Sequence, residues 1–289
     1  MSDKSSISWC DATWTPVLGC TRVSAGCEHC YAEQLSARLE RMGRESYRGL
    51  TRALPNGEVR WSGTVRTLPE RLDWPLKWKT PRRIFVTSMA DLFHEQVPDE
   101  FLDDVFARMA WTHWHTYQVL TKRPERMRDY LDTGMRHTPV IAAMNRFANA
   151  GGVALRWPLP NVWLGTSVEH QAAADERIPL LLQTPAAVRF LSCEPLLGPV
   201  ELPLADGGIN WVIVGGESGS GHRPLQVEWL ESIVEQCQFF DVPVWVKQDS
   251  GPRPDQWGRI PERLRIREFP AERTAYHGGA PRERSRVHR

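Results

Sequence analysis

The chain has 289 residues, of which 41% are hydrophobic and 25% are charged, so it can build a large core and general disorder is excluded. Its 36 basic and 35 acidic residues leave a net charge of +1, which gives no overall field toward nucleic acid or membranes. The sequence shows neither a secretory leader nor an apolar run of about 18 residues, so we expect a cytoplasmic protein without membrane partners.

Three cysteines lie close together near the start of the chain. Cys20, Cys27 and Cys30 are accompanied by Gly19 and Gly26, which allow the tight backbone of a metal-binding loop. The two-residue spacing of the last pair lets both thiolates reach one metal site, and Cys20 supplies a third ligand. Disulfides are disfavoured in the cytoplasm. These cysteines are therefore expected either to bind a metal or to be free thiols without a chemical role.

A helix is predicted directly after this loop. Tyr31, Leu35, Leu39 and Met42 recur at helical spacing and form an apolar stripe. Cys30 then lies at the helix N-terminus, where the dipole is expected to lower its thiol pKa.

The residues alone leave three interpretations of the cysteine loop open. An iron–sulfur cluster needs only three cysteines and keeps one iron free for a ligand. Structural zinc needs a fourth ligand, which Cys10 or His29 would have to supply. A chance grouping of thiols is the third. Of the other cysteines, Cys10 is interpreted as structural, Cys193 ends a strand and faces a site, and Cys237 lies on a core stripe.

Strands and helices alternate over residues 84–248. Six near-continuous apolar runs predict strands buried on both faces, at residues 84–87, 117–120, 162–165, 188–191, 211–214 and 244–246. The gaps are long enough for crossover helices, and apolar periodicity predicts them at residues 101–109, 124–131 and 226–240. This alternation predicts a largely parallel α/β fold, either a barrel or a doubly wound sheet.

Three stretches interrupt this alternation of strands and helices, and the last of them sets the expected end of the domain. Residues 1–250 are predicted to form one barrel-like domain, with insertions at about 43–66 and 132–160. A hairpin is predicted within residues 59–68. Residues 251–289 are rich in Arg and Pro and are predicted to form a tail with a mobile end.

Charged or polar residues follow every predicted strand, where the chemistry of parallel α/β folds collects. The ends include Ser88, Asp91, Ser167, Glu169, Ser192, Glu194, Glu217 and Lys247. Each glutamate is an equally good cap for a following helix. The glycines from Gly215 onward either expose N–H groups to an anion or form a turn. His94 is a candidate acid, base or ligand, and a metal-free hydrolase using Asp91, His94 and Glu217 stays open.

The chain resembles a phage-associated three-cysteine-motif family related to radical-SAM enzymes. The resemblance begins with residues 14–20 and 26–33, which contain the cysteine loop. It continues through residues 81–86, 88–94, 119–126, 163–169, 192–199, 214–219 and 247–248. The first cysteine spacing is longer than in the usual radical-SAM loop.

The resemblance implies a partial or complete (β/α) barrel of radical-SAM type with the cysteine loop after its first strand. It implies a [4Fe-4S] cluster on Cys20, Cys27 and Cys30, and S-adenosylmethionine cleaved to a 5′-deoxyadenosyl radical. The implied cofactor-binding residues are Ser88, Ser167, Glu169, Gly215, Gly216 and Glu217. The catalytic candidates are Asp91, His94, Glu194 and Lys247.

The resemblance also implies partners. A radical-SAM enzyme needs an external electron donor, such as a flavodoxin or ferredoxin. The phage association suggests a nucleotide or nucleic-acid substrate by analogy, and stacking by Trp and Arg fits that substrate. The alternative is a zinc- or iron–sulfur-stabilised nucleic-acid-binding protein without radical chemistry.

Overall fold

A seven-stranded, fully parallel sheet organises the molecule. The computed structural model describes residues 5–132, 137–148 and 155–270. The strands are β1 (Ala12–Trp14), β2 (Val17–Leu18), β3 (Thr51–Ala53), β4 (Val59–Trp61), β5 (Arg66–Thr67), β6 (Arg83–Val86), β7 (Thr116–Thr121), β8 (Val162–Ser167), β9 (Val188–Cys193), β10 (Trp211–Val214) and β11 (Val244–Val246). The large sheet has the order β1-β6-β7-β8-β9-β10-β11 and curls into a half barrel. The predicted partial (β/α) barrel is thereby confirmed.

Most of the helices lie on the outer side of this sheet, whereas α1 packs against β3 and β4. The helices are α1 (Tyr31–Arg41), α2 (Trp74–Lys77), α3 (Asp99–Trp111), α4 (Pro124–Asp132), α5 (His137–Phe147), α6 (Gln171–Gln183) and α7 (Val227–Phe239). The three predicted crossover helices correspond to α3, α4 and α7, and the helix predicted after the cysteine loop corresponds to α1. Among the described residues, no helix is long and apolar enough to cross a membrane.

The main core lies between the sheet and these helices. Strand residues such as Val119 and Leu164 point outward into it, and α3 contributes Leu102, Val105 and Met109. The apolar spacing of α3 places these side chains on one face. Pro98 precedes the helix, and Asp99 lies in its positive first turn. Burial of this face therefore fixes the helix against the strands.

A second, aromatic core fills the inside of the half barrel. Trp211 is fully buried at its centre, and its indole N–H donates to the Glu268 carbonyl at 2.8 Å. Its ring centroid lies 5.4–6.4 Å from those of Trp9, Trp163, Phe190, Trp245 and Phe269. The tilted and edge-on packing suits the quadrupoles of the rings. This cluster closes the barrel interior beneath the carboxyl ends of the strands.

The hairpin lies earlier in the chain than the sequence predicts. β3 and β4 pair antiparallel, with Thr51 opposite Trp61. The expected hairpin over residues 59–68 is therefore wrong, because β5 pairs with β2, placing Val17 opposite Thr67. Trp61 is buried against Leu18 and Leu50, and this small core holds the excursion beside the cysteine loop.

Residues 132–160 contain regular structure. In this stretch α5 packs on α3 and buries Val140, Ala143 and Met144 in the main core. The glycines at 151 and 152, which suggested an insertion, lie outside the described residues. The stretch is thus, in its described part, a helix of the outer layer.

Residues 251–270 pack against the half barrel. Ile260 and Leu264 are buried in the main core, and Phe269 stacks on the inner cluster. The backbone N–H of Val246 donates to Ile266 O at 2.8 Å, so this segment adds an antiparallel edge to β11. The rest of the predicted tail, residues 271–289, lies outside the described residues.

Candidate functional site

Two connected cavities open at the carboxyl ends of the parallel strands. The larger, here the central cavity, has a volume of about 410 Å³ and is lined by the ends of β8 to β11 and by residues 6–9. The smaller, here the thiol cavity, has about 160 Å³. Both share Gly26, Cys30, Tyr31, Lys122 and Ser167, so they are continuous.

Most of the predicted site residues line these cavities. They are Cys20, Cys27, Cys30, Ser88, Asp91, Ser167, Glu194, Gly216, Glu217 and Lys247. His94 and Glu169 are completely buried behind them. Gly215 packs between the ends of β9 and β11, where a Cβ would come within 3.3 Å of Glu194 Oε1.

The cysteine loop brings its three thiols to the thiol cavity. Cys20, Cys27 and Cys30 are half-buried, and Cys30 immediately precedes α1 as predicted. Among the described residues, no group of three or more His, Cys, Asp or Glu is placed to hold a metal ion. All three cysteines line the thiol cavity.

Burial has the largest effect on the pKa of two of these thiols, Cys20 and Cys30. It raises the pKa of Cys20 to about 12, to which nearby Asp91 adds. It also raises the pKa of Cys30, although the backbone N–H groups of Ala32 and Glu33 act in the opposite direction. The expectation that the helix N-terminus lowers the Cys30 pKa is therefore wrong, because desolvation outweighs the dipole.

Glu169 holds the middle of the cysteine loop. Its carboxylate accepts a hydrogen bond from the Ser24 hydroxyl at 2.8 Å and pairs with Arg177 at 2.9 Å and Lys122 at 3.3 Å. Burial opposes ionisation, but the two cations and Ser24 outweigh it and hold the Glu169 pKa below its usual value. A Cβ on Gly26 would lie 2.4 Å from Glu169 Oε1, so only glycine fits here.

Asp91 and Arg123 hold the start of the loop. Asp91 accepts from the Thr121 hydroxyl at 2.7 Å and from Arg123 at 3.1 Å. Arg123 also donates to the Thr21 hydroxyl at 2.6 Å and lies 3.7 Å from the Cys20 sulfur. Because Asp91 fixes the guanidinium, Cys20 and Thr21 have a defined position relative to the strand ends.

His94 supports the same contact. Its Nε2 lies 2.9 Å from the Thr21 hydroxyl, and its Nδ1 accepts from the Gln96 N–H at 3.2 Å. Burial and the charge of Arg123 lower the pKa of His94, so the ring is neutral near pH 7. Both ring nitrogens are thus engaged in structural hydrogen bonds.

Glu217 and Arg223 hold the end of the loop. Arg223 donates to both carboxylate oxygens of Glu217, at 2.7 and 3.1 Å, and to Ala25 O at 3.0 Å. Burial raises the Glu217 pKa, but these hydrogen bonds outweigh it and lower the pKa below its usual value. Three carboxylates from three strand ends thus fix the cysteine loop.

The glycine-rich turn after β10 is bonded within the protein. Gly215 N–H donates to Cys193 O at 3.2 Å, and Gly216 N–H donates to Gln248 O at 2.9 Å. A Cβ on Gly216 would lie 2.3 Å from Ser250 N, so this glycine permits close packing of two loops. These two N–H groups are therefore not free to cradle an anion.

A second charged pair faces the central cavity. Lys247 Nζ lies 2.9 Å from Glu194 Oε1, and the Ser192 hydroxyl donates to the other Glu194 oxygen at 3.3 Å. The side chains of Glu194 and Lys247 are 11% and 22% exposed, so a ligand in the cavity can reach them. Ser167 lines both cavities, and the carbonyl of Ser88 accepts from the Tyr31 hydroxyl at 2.5 Å.

The sequence did not single out the arginines that position the loop. Arg123 follows a predicted strand, which is a signal, but it was not among the predicted cofactor-binding or catalytic residues. Arg177 and Arg223 give no local signal, because their pairing with Glu169 and Glu217 depends on the fold. Cys193 and Cys237 are fully buried away from the cavities, so Cys193 does not face the site as expected.

Comparisons with known proteins give one match. A family model described as "Protein of unknown function (DUF5131)" matches residues 4–275, which is nearly the whole chain. No curated protein and no solved structure matches it.

Proposed function

We propose that this chain, which belongs to the family of proteins of unknown function DUF5131, is an iron–sulfur enzyme of radical-SAM type. The observation that carries the proposal is the thiol cavity, which is lined by three cysteines from one loop at the mouth of a parallel half barrel. The resemblance of the chain to a three-cysteine-motif family related to radical-SAM enzymes supports it from the sequence side.

The number of cysteines in the loop favours a cluster over zinc. A structural zinc site needs four ligands, and the loop supplies three thiols. An iron–sulfur cluster can be held by three cysteines, with one iron left open for another ligand. Cys20, Cys27 and Cys30 would hold it, and zinc is the less favoured alternative.

The protein's own residues would position the group and exclude water. When bound, a [4Fe-4S] cluster with S-adenosylmethionine supplies a 5′-deoxyadenosyl radical that abstracts hydrogen from a substrate. Glu169, Asp91 and Glu217 fix the loop that carries the thiols, which makes them positioning residues. The aromatic cluster closes the barrel below the site, which protects reactive species from solvent.

The central cavity is the proposed ligand site. Its volume of about 410 Å³ lies within the range of small-molecule sites. Lys247 and Lys122 offer donors to a carboxylate, while Glu194 offers acceptors to an amine or to sugar hydroxyls. The hydrolase alternative is less favoured, because the His94 ring and the Glu217 carboxylate are engaged in the contacts that hold the loop.

Anaerobic reconstitution tests the proposal. We expect about four irons and four sulfides per chain, and 5′-deoxyadenosine formed from S-adenosylmethionine with a reductant that replaces the external electron donor. Cys27→Ala should abolish iron binding, whereas Cys10→Ala, outside the loop, should keep it.

Each other outcome separates the alternatives. Tightly held zinc without iron would favour the zinc-stabilised binding protein. Iron without cleavage of S-adenosylmethionine would favour a cluster-stabilised protein that lacks radical chemistry. Equal iron content in the Cys27→Ala and unmodified chains would show that the cysteine loop does not bind the iron.

A further inference from the structure

Helix α1 presents an apolar face to solvent. The side chains buried on α1 are Ala32, Glu33 and Ser36, while Tyr31 is 49% and Leu35 is 37% exposed. Glu33 faces inward because it pairs with Arg22 and accepts the Trp61 N–H at 3.0 Å. Two members of the predicted apolar stripe, Tyr31 and Leu35, therefore border open space, whereas Leu39 packs against the small core around Trp61.

A groove of about 580 Å³, here the α1 groove, runs along this stripe. It lies between α1, the start of the chain and the segment that carries Arg71 and Trp74. It shares Ser6, Ile7 and Tyr31 with the central cavity, so the two lie side by side at these residues. A long ligand in the groove that passes Tyr31 would reach the cavity with one end.

The charged residues in the described lining of the groove are basic. Its described lining contains Arg44 and Arg71 and no aspartate or glutamate. Arg71 is fixed by bonds to the Ser46 hydroxyl at 3.0 Å and to Thr15 O at 3.3 Å. The exposed Arg44 side chain makes no hydrogen bond or ion pair with the described residues. Both guanidiniums suit phosphate groups.

The remaining lining is aromatic and hydroxylic. Tyr31, Tyr47 and Trp74 provide ring surface, and the Arg71 guanidinium lies 5.1 Å from the Trp74 ring centroid. Six further lining residues are serine or threonine, and hydroxyls of this kind bind phosphate and sugar oxygens. Aromatic faces beside a cationic groove are the usual surface for unpaired bases.

We propose that the α1 groove binds single-stranded nucleic acid, with the terminal or an extruded nucleotide reaching the central cavity. A duplex buries its base faces, so only an unpaired strand can use the rings. Chemistry on that nucleotide rests on the proposed function, whereas binding in the groove does not.

Fluorescence anisotropy with fluorescein-labelled ten-nucleotide dT and U strands tests the groove on the full chain, before and after reconstitution with iron. Arg44→Ala should weaken binding on the order of tenfold at low salt and reduce the salt slope by about one. Leu35→Glu, which adds a carboxylate without removing a buried group, should weaken it at least as much. The strand that binds with the higher affinity, dT or U, identifies DNA or RNA as the ligand.

Two matched variants serve as controls. Arg263→Ala removes an equal charge outside the groove lining, from an exposed side chain that pairs with Glu231. Phe239→Glu alters an apolar side chain that is 82% exposed on α7. Circular dichroism verifies that each variant folds. Both controls should bind like the unmodified chain.

The proposal is overturned by no binding at low salt, by groove variants that bind like the controls, or by equal competition from duplex or polyglutamate. Strand binding by a chain that takes up no iron would support the groove and contradict the proposed function. Iron uptake and S-adenosylmethionine cleavage without strand binding would support the proposed function and contradict binding in the groove.

Discussion

Buried carboxylates have a positioning role at the level of single residues. Glu169 is completely buried, yet both of its oxygens are engaged by Ser24, Lys122 and Arg177. A buried charge is tolerated only when such partners replace the lost water. Its position at a strand end was evident in the sequence, but its contact with Ser24, 145 residues away, arises only in the fold.

Glu169→Gln should destabilise the protein strongly. The change leaves Lys122 and Arg177 without their counter-charge, and breaking such a pair costs roughly 3–5 kcal/mol. The free energy of unfolding in urea measures the effect. Glu176→Gln, at an exposed position of the neighbouring helix α6, is the control and should change stability by less than about 0.5 kcal/mol. Equal stability of the two variants would contradict the role assigned to Glu169.

Asp249 gives a prediction about pH. Burial raises its pKa, but hydrogen bonds from Arg259 and from the Ser250 N–H outweigh this and lower the pKa below its usual value. A lowered pKa contributes stability above the unfolded pKa of about 3.9 that is lost as the pH falls through the folded value. Asp249→Asn should therefore destabilise the protein at pH 7, by about 1–2 kcal/mol.

The difference between Asp249→Asn and the unmodified chain should shrink below about pH 4. Urea unfolding at pH 7 and at acid pH measures it. Asp206→Asn, an exposed residue, should show no such dependence. A difference that stays constant down to pH 3 would show that ionisation of Asp249 is not the cause.

At the level of elements, buried strands were easier to predict than the orientation of helix α1. The continuous apolar runs of β6 to β11 match strands covered on both faces. In α1 the sequence shows an apolar stripe but does not tell which face of the helix is buried, and the ion pair of Glu33 with Arg22 turns the Glu33 side inward. Periodicity cannot detect such a pair, because Arg22 lies on the preceding loop.

Gly26→Ala tests the fit of the cysteine loop. The new Cβ would lie 2.4 Å from Glu169 Oε1, a clash that must displace the loop or the carboxylate. Overpacking of this kind costs roughly 1–3 kcal/mol, and we expect lower thermal stability together with less iron bound after reconstitution. Gly198→Ala is the control, since its Cβ would meet only His170 Cβ at 3.7 Å. Normal stability and iron content of Gly26→Ala would contradict the close packing of the loop.

For the whole molecule, the sequence predicted the architecture of the fold better than the position at which the folded domain ends. Alternating strands and helices indicated a parallel α/β fold, and the family resemblance implied a partial barrel with the cysteine loop after its first strand. The segment after residue 250 was predicted to be a tail because it is rich in Arg and Pro. Ile260, Leu264 and Phe269 are isolated apolar residues there, without a period that marks them as core.

Truncation tests how far the folded unit extends. A chain that ends at residue 256 loses Ile260, Leu264 and Phe269, and each buried side chain of this size contributes roughly 1.5–3 kcal/mol. It also removes the carbonyl of Glu268 that Trp211 binds. Such a chain should be largely unfolded at 37 °C by circular dichroism, since whole domains have only about 5–15 kcal/mol of stability. A chain ending at residue 270 keeps these contacts and should unfold cooperatively at a higher temperature.

The antiparallel segment beside β11 also affects whether copies of the protein pair through their strands at high concentration. A half barrel leaves its last strand with a row of unpaired backbone groups, which can recruit a strand from another molecule. Here Ile266 O and the Glu268 N–H occupy that row by bonding to Val246 and Val244. The chain thus satisfies its own edge, and residues 266–268 protect the protein from strand exchange and aggregation between copies.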